Sequence, residues 1–234
     1  MCTVSFIPAN GKIFITSNRD ESSMRPLAIA PTVQSKNGIV CLAPTDAKAG
    51  GTWIAARHDG AVLVLLNGAT EKHLHTPPYR KSRGQVFRDV FHSNNMDEAF
   101  AGIDLQNIEP FTLIAWKAGT LQQLQWNGSE KNILIKNNAK AQIWSSCTLY
   151  TPAVVAYRQQ FFQEWLSEQT NVSVDTISDF HMYTNKDGHA DKNIRINRNG
   201  DMLTVSISCI EITGTDIHFY YNDLHQNKNY TVQL

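Results

Sequence analysis

The sequence predicts an α+β fold built on antiparallel β-sheets. Three observations predict it. Hairpin signals recur along the chain, a few helical segments are inserted between them, and the motifs of parallel nucleotide-binding folds are missing. Consecutive hairpins form antiparallel sheets because a tight turn can join only antiparallel neighbours. No glycine-rich phosphate loop follows a strand-like segment, which removes the doubly wound alternative.

The elements follow in order. Residues 2–7 alternate as a strand, and Lys12 to Ser17 is rich in β-formers. Asn10-Gly11 lies between them, and Asn-Gly suits a hairpin turn because both residues tolerate positive φ. A second hairpin is expected at His58-Asp59-Gly60, joining Thr52–Arg57 to the run Ala61–Leu66. That run is apolar on both faces, so it reads as a central strand. Pro78 to His92 carries Val86, Phe87, Val90 and Phe91 on one helical face. Asp97 to Ile103 reads as a short helix. Strands resume at Phe111–Trp116, Leu121–Trp126 and Ile133–Ile135. Pro152 opens a long helix to about Gln169, a position where its missing N–H costs nothing. Thr176–Tyr183 reads as another helix and 184–200 as a polar loop. Strands at Met202–Ile212, Asp216–Tyr221 and Tyr230–Leu234 close the chain. No repeat, low-complexity tract or linker divides it, so residues 1–234 are expected to form one domain.

Apolar residues make up 42% and charged residues 18% of the 234-residue chain, values ordinary for a globular protein. Lys+Arg and Asp+Glu both number 21, so no basic bias points to nucleic acid or to an anionic membrane surface. No apolar run is long enough to span a bilayer and no secretory signal is recognisable at the N-terminus. The cysteines Cys2, Cys41, Cys147 and Cys209 are scattered, which argues against a zinc knuckle or a disulfide framework and favours a cytoplasmic location. No cofactor is expected.

Cys2 is the residue with the most chemistry to offer. Removal of Met1, favoured by a small second residue, leaves a thiol and a free α-amine on one Cα. An α-amine has a pKa of about 7.7–8.0, so it acts as a base near neutral pH. N-terminal nucleophiles use the amine where a triad uses histidine. The other reading is a small apolar residue opening a strand. The hairpin returns Ser17-Asn18-Arg19-Asp20-Glu21 close to the start of the first strand. Arg19 there favours a thiolate and a neutral amine, and Asp20 holds the amine; a surface Arg–Asp pair is the alternative. Asn67, ending the apolar strand at Gly68, is either an oxyanion donor or a turn residue. Gly50-Gly51-Thr52-Trp53 is a turn entering a strand, whose glycines permit close approach of a ligand or only a bend.

Together, Met1-Cys2, Asn18-Arg19-Asp20-Glu21, Arg25-Pro26, Gly50-Gly51-Thr52-Trp53, Asn67 and Ser145-Ser146-Cys147…Thr151-Pro152 resemble the NRDE (transport and Golgi organisation 2-like) family over most of the chain. The resemblance implies a four-layer αββα sandwich of the N-terminal nucleophile hydrolase type. Its nearest relatives in chemistry resemble bile-salt hydrolases and penicillin V acylases, which cleave non-peptide amide bonds. By position it makes Cys2 nucleophile and base, Arg19 and Asp20 its tuning and orienting groups, and Asn67 an oxyanion donor. Asn18, Glu21, Gly51, Trp53 and Cys147 are then expected to contact ligand. The hydrolases place a second asparagine near Ser146-Cys147 and supply a late arginine where this chain reads Met202-Leu203-Thr204-Val205. Arg195 and Arg198 lie just upstream. The expected function is amide hydrolysis of a small, partly apolar substrate. The alternative is a non-catalytic carrier of haem or an acyl-lipid in the same cleft.

His73 and His75 on a strand would share a face suited to a metal or haem iron, but Pro77-Pro78 favours a solvated loop. Trp144, Phe161, Phe162 and Trp165 line a pocket or pack a core. Arg80, Lys81 and Arg83 face an anionic group or solvent.

Overall fold

The computed structural model describes residues 3–185 and 190–234. Strands β1 (Thr3–Ala9) and β2 (Lys12–Ser22) form the expected first hairpin, with Asn10 at φ 54° and Gly11 at φ 74°. β3 (Ile29–Lys36) and β4 (Ile39–Thr45) form a hairpin on Asn37-Gly38 that the sequence reading missed. β5 (Ile54–Arg57), β6 (Val62–Asn67), β7 (Phe111–Lys117), β8 (Thr120–Trp126) and β9 (Lys131–Lys136) continue the same sheet. Its order is β3-β4-β5-β6-β7-β8-β9, and every pairing is antiparallel.

β10 (Gln142–Ser145), also not anticipated, pairs with β1 in the other sheet. That sheet adds β11 (Asn197–Arg198), β12 (Met202–Thr213), β13 (Asp216–Asp223) and β14 (Lys228–Gln233), in the order β10-β1-β2-β12-β13-β14 with β11 beside β12. The expected polar loop therefore contains β11, and residues 186–189 of it lie outside the described residues.

Helices cover both outer faces. α1 (Arg83–Phe91) is capped by Ser82 and does not extend back to Pro78, because a Ser82–Gln85 capping box satisfies first-turn N–H groups there. α1 and α2 (Met96–Gly102) set Phe87, Phe91 and Phe100 over the second sheet. α3 (Pro152–Ser167), capped by Thr151, and α4 (Val174–His181), capped by Ser173, cover the first. Phe162, Ile177 and Phe180 pack there on Ile7, Phe14 and Cys209. Between the sheets Val4, Phe6, Ile15, Ile210 and Phe219 meet Val62, Val64, Ile114 and Leu121, all at most 1% exposed. The result is the four-layer αββα sandwich. No helix among the described residues is long and apolar enough to cross a membrane.

Candidate active site

Strand alternation decides which side chains of Asn18–Glu21 share a face. β2 runs through the whole segment to Ser22, five residues beyond the predicted end. Val4 pairs with Ser17 and Phe6 with Ile15, which fixes this face as the inner one. Arg19 and Glu21 therefore point between the sheets, whereas Asn18 and Asp20 point to the helical layer. β12 bulges opposite this segment, its register shifting between Thr204, which faces Asp20, and Ser206, which faces Arg19. A bulge beside a site re-aims local side chains.

Arg19 is 4% exposed. Its guanidinium donates to Asp46 Oδ2 at 2.5 Å and stands 4.4 Å from the centre of the Trp53 ring. Arg25 donates to both Asp46 oxygens, at 2.8 and 3.0 Å, and lies 3.3 Å from Glu21. Burial by itself would raise the Asp46 carboxyl. Hydrogen bonds from Arg25 and the Ala49 N–H, with the charges of Arg25 and Arg19, outweigh it and hold the carboxyl below its ordinary range. Asp46 is thus the hub of a buried ion network, and the sequence reading missed it. Preceding a Lys-Ala-Gly-Gly turn, it carries only the signal of an ordinary loop aspartate.

Asp20 accepts from the Thr204 hydroxyl at 2.6 Å and lies 3.5 Å from the Tyr150 hydroxyl. Asn18 donates to the carbonyls of His181 and Ile194 at 3.1 Å each, and its oxygen meets His181 Nδ1 at 2.6 Å. Its amide is therefore fully engaged by protein groups, which does not suit it to ligand contact. Neither Asn18 nor Asp20 lines a pocket at the site, so the structure does not bring them to one cavity with Arg19.

Two pockets open side by side, and Asn67 lines both. The larger, about 670 Å³, lies between Leu66, Gln123 and Gln125 on one side and Trp144, Ser146, Cys147 and Tyr150 on the other. The smaller, about 370 Å³, contains Arg19, Glu21, Arg25, Asp46, Gly51, Trp53 and Arg83. The Asn67 side-chain amide has no hydrogen-bond partner among the described residues, while its backbone carbonyl accepts from Ser146 at 2.7 Å. Gly51 lines the smaller pocket, but its missing Cβ is required by protein: a Cβ there would stand 2.8 Å from the Gly84 backbone.

Cys147 faces the larger pocket and donates to the Glu71 carbonyl at 3.2 Å. Burial and the nearby Glu71 charge push its thiol up, so it is held protonated. Its sulfur also explains Gly68, which has φ 78° and where a Cβ would lie 2.5 Å from Cys147 Sγ. Gly68→Ala is expected to cost about 1–3 kcal/mol of stability from backbone strain plus the clash. In denaturant titrations a Cys147→Ala background should recover part of the loss; identical losses in both backgrounds would exclude the sulfur contact as a cause.

Met1 and Cys2 lie outside the described residues. Thr3 pairs with Asn18 on one side and Ser145 on the other, and its hydroxyl accepts from Arg158 at 2.7 Å. Arg158, 0% exposed, also donates to Ser145 Oγ and to the Asn193 carbonyl, and its guanidinium lies 3.8 Å from the Tyr150 ring centre. It too was missed, because an arginine in a helical segment reads as solvent-facing. Arg198 approaches the same ring at 5.5 Å and donates to the Leu149 carbonyl. Arg195 lines a separate pocket with Thr184 and Asn193.

His73 and His75 lie in an irregular stretch and both meet Glu109 at 3.2 Å. Among the described residues no group of three or more His, Cys, Asp or Glu is arranged to hold a metal ion. Arg83 pairs with Glu109 and Lys81 with Asp89. Trp144 lines the larger pocket, whereas Phe161, Phe162 and Trp165 pack around Phe180.

Two antiparallel sheets between helical layers, with a cleft beside the start of the first strand, define the N-terminal nucleophile hydrolase fold. Solved structures of that class are similar over nearly the whole chain. An N-acylethanolamine-hydrolyzing acid amidase ortholog from Caenorhabditis elegans matches with TM-score 0.61 and 15% identity, over 89% of this chain and 92% of that one. A variant of conjugated bile acid hydrolase from Clostridium perfringens matches with TM-score 0.62 and 12% identity, over 99% and 92%. Penicillin V acylase from Agrobacterium tumefaciens matches with TM-score 0.51 and 8% identity, over 100% and 86%. No curated protein matches significantly in sequence. The family model described as Transport and Golgi organisation 2 matches residues 1–230, and the chain belongs to that family.

Proposed function

We propose that the protein is an N-terminal cysteine amidohydrolase that cleaves a non-peptide amide of a small, partly apolar substrate. One observation carries the reading: the first strand starts between the two pockets. Ser145, one partner of Thr3, lines the larger pocket, and Arg19, next to its other partner Asn18, lines the smaller. Cys2 immediately precedes Thr3 in the sequence. Structural neighbours named for hydrolysing N-acylethanolamines and conjugated bile acids support an amide as the reacting bond.

In this reading removal of Met1 exposes the Cys2 amine, which takes the thiol proton. The thiolate attacks the amide carbonyl, and the Asn67 amide donates to the developing oxyanion. The ammonium returns the proton to the leaving nitrogen as the C–N bond breaks. Water then attacks the thioester, giving the acid and the free thiol. Arg19, fixed by Asp46 and Trp53, supplies positive potential that favours thiolate and neutral amine. Asp20 acts at one remove, accepting from Thr204 and from Tyr150, of which Tyr150 lines the larger pocket. With wild-type protein turning over an N-acyl amide, Cys2→Ala is expected to lose at least a thousandfold in rate; equal turnover by the two would sink the proposal.

A second reading is favoured by the apolar lining of the larger pocket and by Cys147, a weak donor, where the hydrolases place a second amide. In it the cleft carries an acyl-lipid or haem without chemistry. Saturable binding of either by wild-type protein that hydrolyses no amide would support that reading over the first.

A further inference from the structure

The second sheet has two edges, and they are unlike. β3 carries Pro31 and a break of register between Ile29 and Thr32, two devices that keep a free edge from pairing with another chain. β9 carries neither. It pairs with β8 in unbroken register from Lys131 to Lys136 and contains no proline. No strand lies on its other side among the described residues. Ile133 is 38%, Leu134 39% and Ile135 78% exposed. Strand alternation puts Leu134 on one face and the two isoleucines on the other, so the open edge is apolar on both.

The backbone of this edge is open too. The Asn127 N–H donates to the Glu130 carbonyl at 3.2 Å, and hydrogen-bonded pairs of an antiparallel ladder recur at every second position. Gln125–Asn132, Gln123–Leu134 and Leu121–Lys136 are therefore the bonded pairs with β8. The N–H and C=O groups of Lys131, Ile133 and Ile135 point outward. Charged side chains do not guard them evenly. Lys131 is turned away, its ammonium donating to the carbonyls of Ala101, at 2.6 Å, and Ile103 at the end of α2. Glu130, just before the strand, and Lys136, its last residue, form no ion pair among the described residues.

We propose that β9 pairs with β9 of a second copy of this chain, antiparallel about a two-fold axis at Ile133. In that register Ile133 opposes its own copy and Lys131 opposes Ile135, so the outward backbone groups of the two strands meet. Glu130 opposes Lys136, twice by symmetry, and directly opposite side chains are close enough to form ion pairs. A shift of two residues either way keeps the backbone pairing but no longer sets Glu130 against Lys136. The charge pattern at the ends of the strand therefore selects both the partner and the register. Main-chain hydrogen bonds and burial of the isoleucines and Leu134 supply the affinity. This surface is independent of the amidohydrolase reading.

Sedimentation equilibrium of the purified chain, at loadings up to about 100 µM, tests the pairing. A dimer of twice the 26.3 kDa chain mass is expected, with a Kd on the order of 10 µM for so short a contact. Glu130→Lys places lysines opposite each other twice and should weaken the dimer about tenfold. Combining Glu130→Lys with Lys136→Glu restores opposite charges and should return the Kd to within about threefold of wild type. That recovery also shows that the single variant is folded. A chain that stays monomeric leaves the edge to a different partner or to none, and overturns the proposal. A Kd unchanged by Glu130→Lys, or a double variant as weak as the single one, overturns it equally.

Discussion

Arg158→Ala is expected to cost about 3–5 kcal/mol of folding stability, the largest loss from any single truncation discussed for this protein. The side chain is completely buried in the middle of α3 and ties three parts of the chain together: Thr3 in β1, Ser145 in β10 and the Asn193 carbonyl. Truncation leaves those acceptors unsatisfied, opens a cavity beneath Tyr150, and removes the stacking at 3.8 Å. Among the described residues, the Arg158 charge meets the Thr3 and Ser145 hydroxyls, the Asn193 carbonyl and the Tyr150 ring, with no ion pair. Arg158→Met keeps most of the volume while removing the buried charge, and should lose less than about 2 kcal/mol. Urea titration of the variants measures the difference. Equal losses from alanine and methionine would show that the hydrogen bonds, not packing, carry the effect.

His181 is expected to make the protein acid-labile well above the range of its carboxylates. It is 0% exposed, and burial, followed by the Arg158 charge, lowers its pKa to about 3. The hydrogen bonds fix its tautomer. Asn18 Nδ2 is spent on two carbonyls, so Asn18 Oδ1 accepts from Nδ1–H; Nε2 is then the acceptor for the Ser5 hydroxyl at 2.8 Å. The resulting Ser–His–Asn chain is fully buried, and none of its three residues lines either pocket of the candidate site, so it serves as packing. In the unfolded chain His181 protonates near its ordinary pKa of about 6.5. Below that pH the unfolded state binds the extra proton, so stability is complete above about 6.5 and falls toward pH 3, by about 1.4 kcal/mol per pH unit. Titrating unfolding at several pH values in wild type and His181→Gln isolates the contribution. The gap between the curves should narrow as pH falls from 6 to 4; parallel curves would contradict a neutral buried histidine.

These two residues mark where sequence reasoning runs out. Hairpins carried by Asn10-Gly11 and by His58-Asp59-Gly60 were legible because turn chemistry and strand pattern agree. The β3–β4 hairpin carries the same Asn-Gly signal at Asn37-Gly38, but β3 is an edge strand with mostly exposed side chains, so its alternation is blurred. β10 is four residues long, and its one strand partner, β1, lies more than 130 residues away in the chain. At the site the motif Asn18–Glu21 was legible, but not its division between two faces, which depends on β2 continuing to Ser22. Asp46 and Arg158 acquire meaning only from partners far away in the chain. A buried polar group declares itself through what surrounds it, and one-dimensional pattern carries none of that.

The role of Cys2 as an N-terminal nucleophile is decided by the intact mass of the purified protein, taken alone and after rapid quenching with an N-acyl amide. A chain lacking Met1 that gains the mass of the acyl group on quenching, with the adduct on Cys2, is expected. A chain that retains Met1 and acquires no adduct would contradict it, since Cys2 would then have no free α-amine to act as its base.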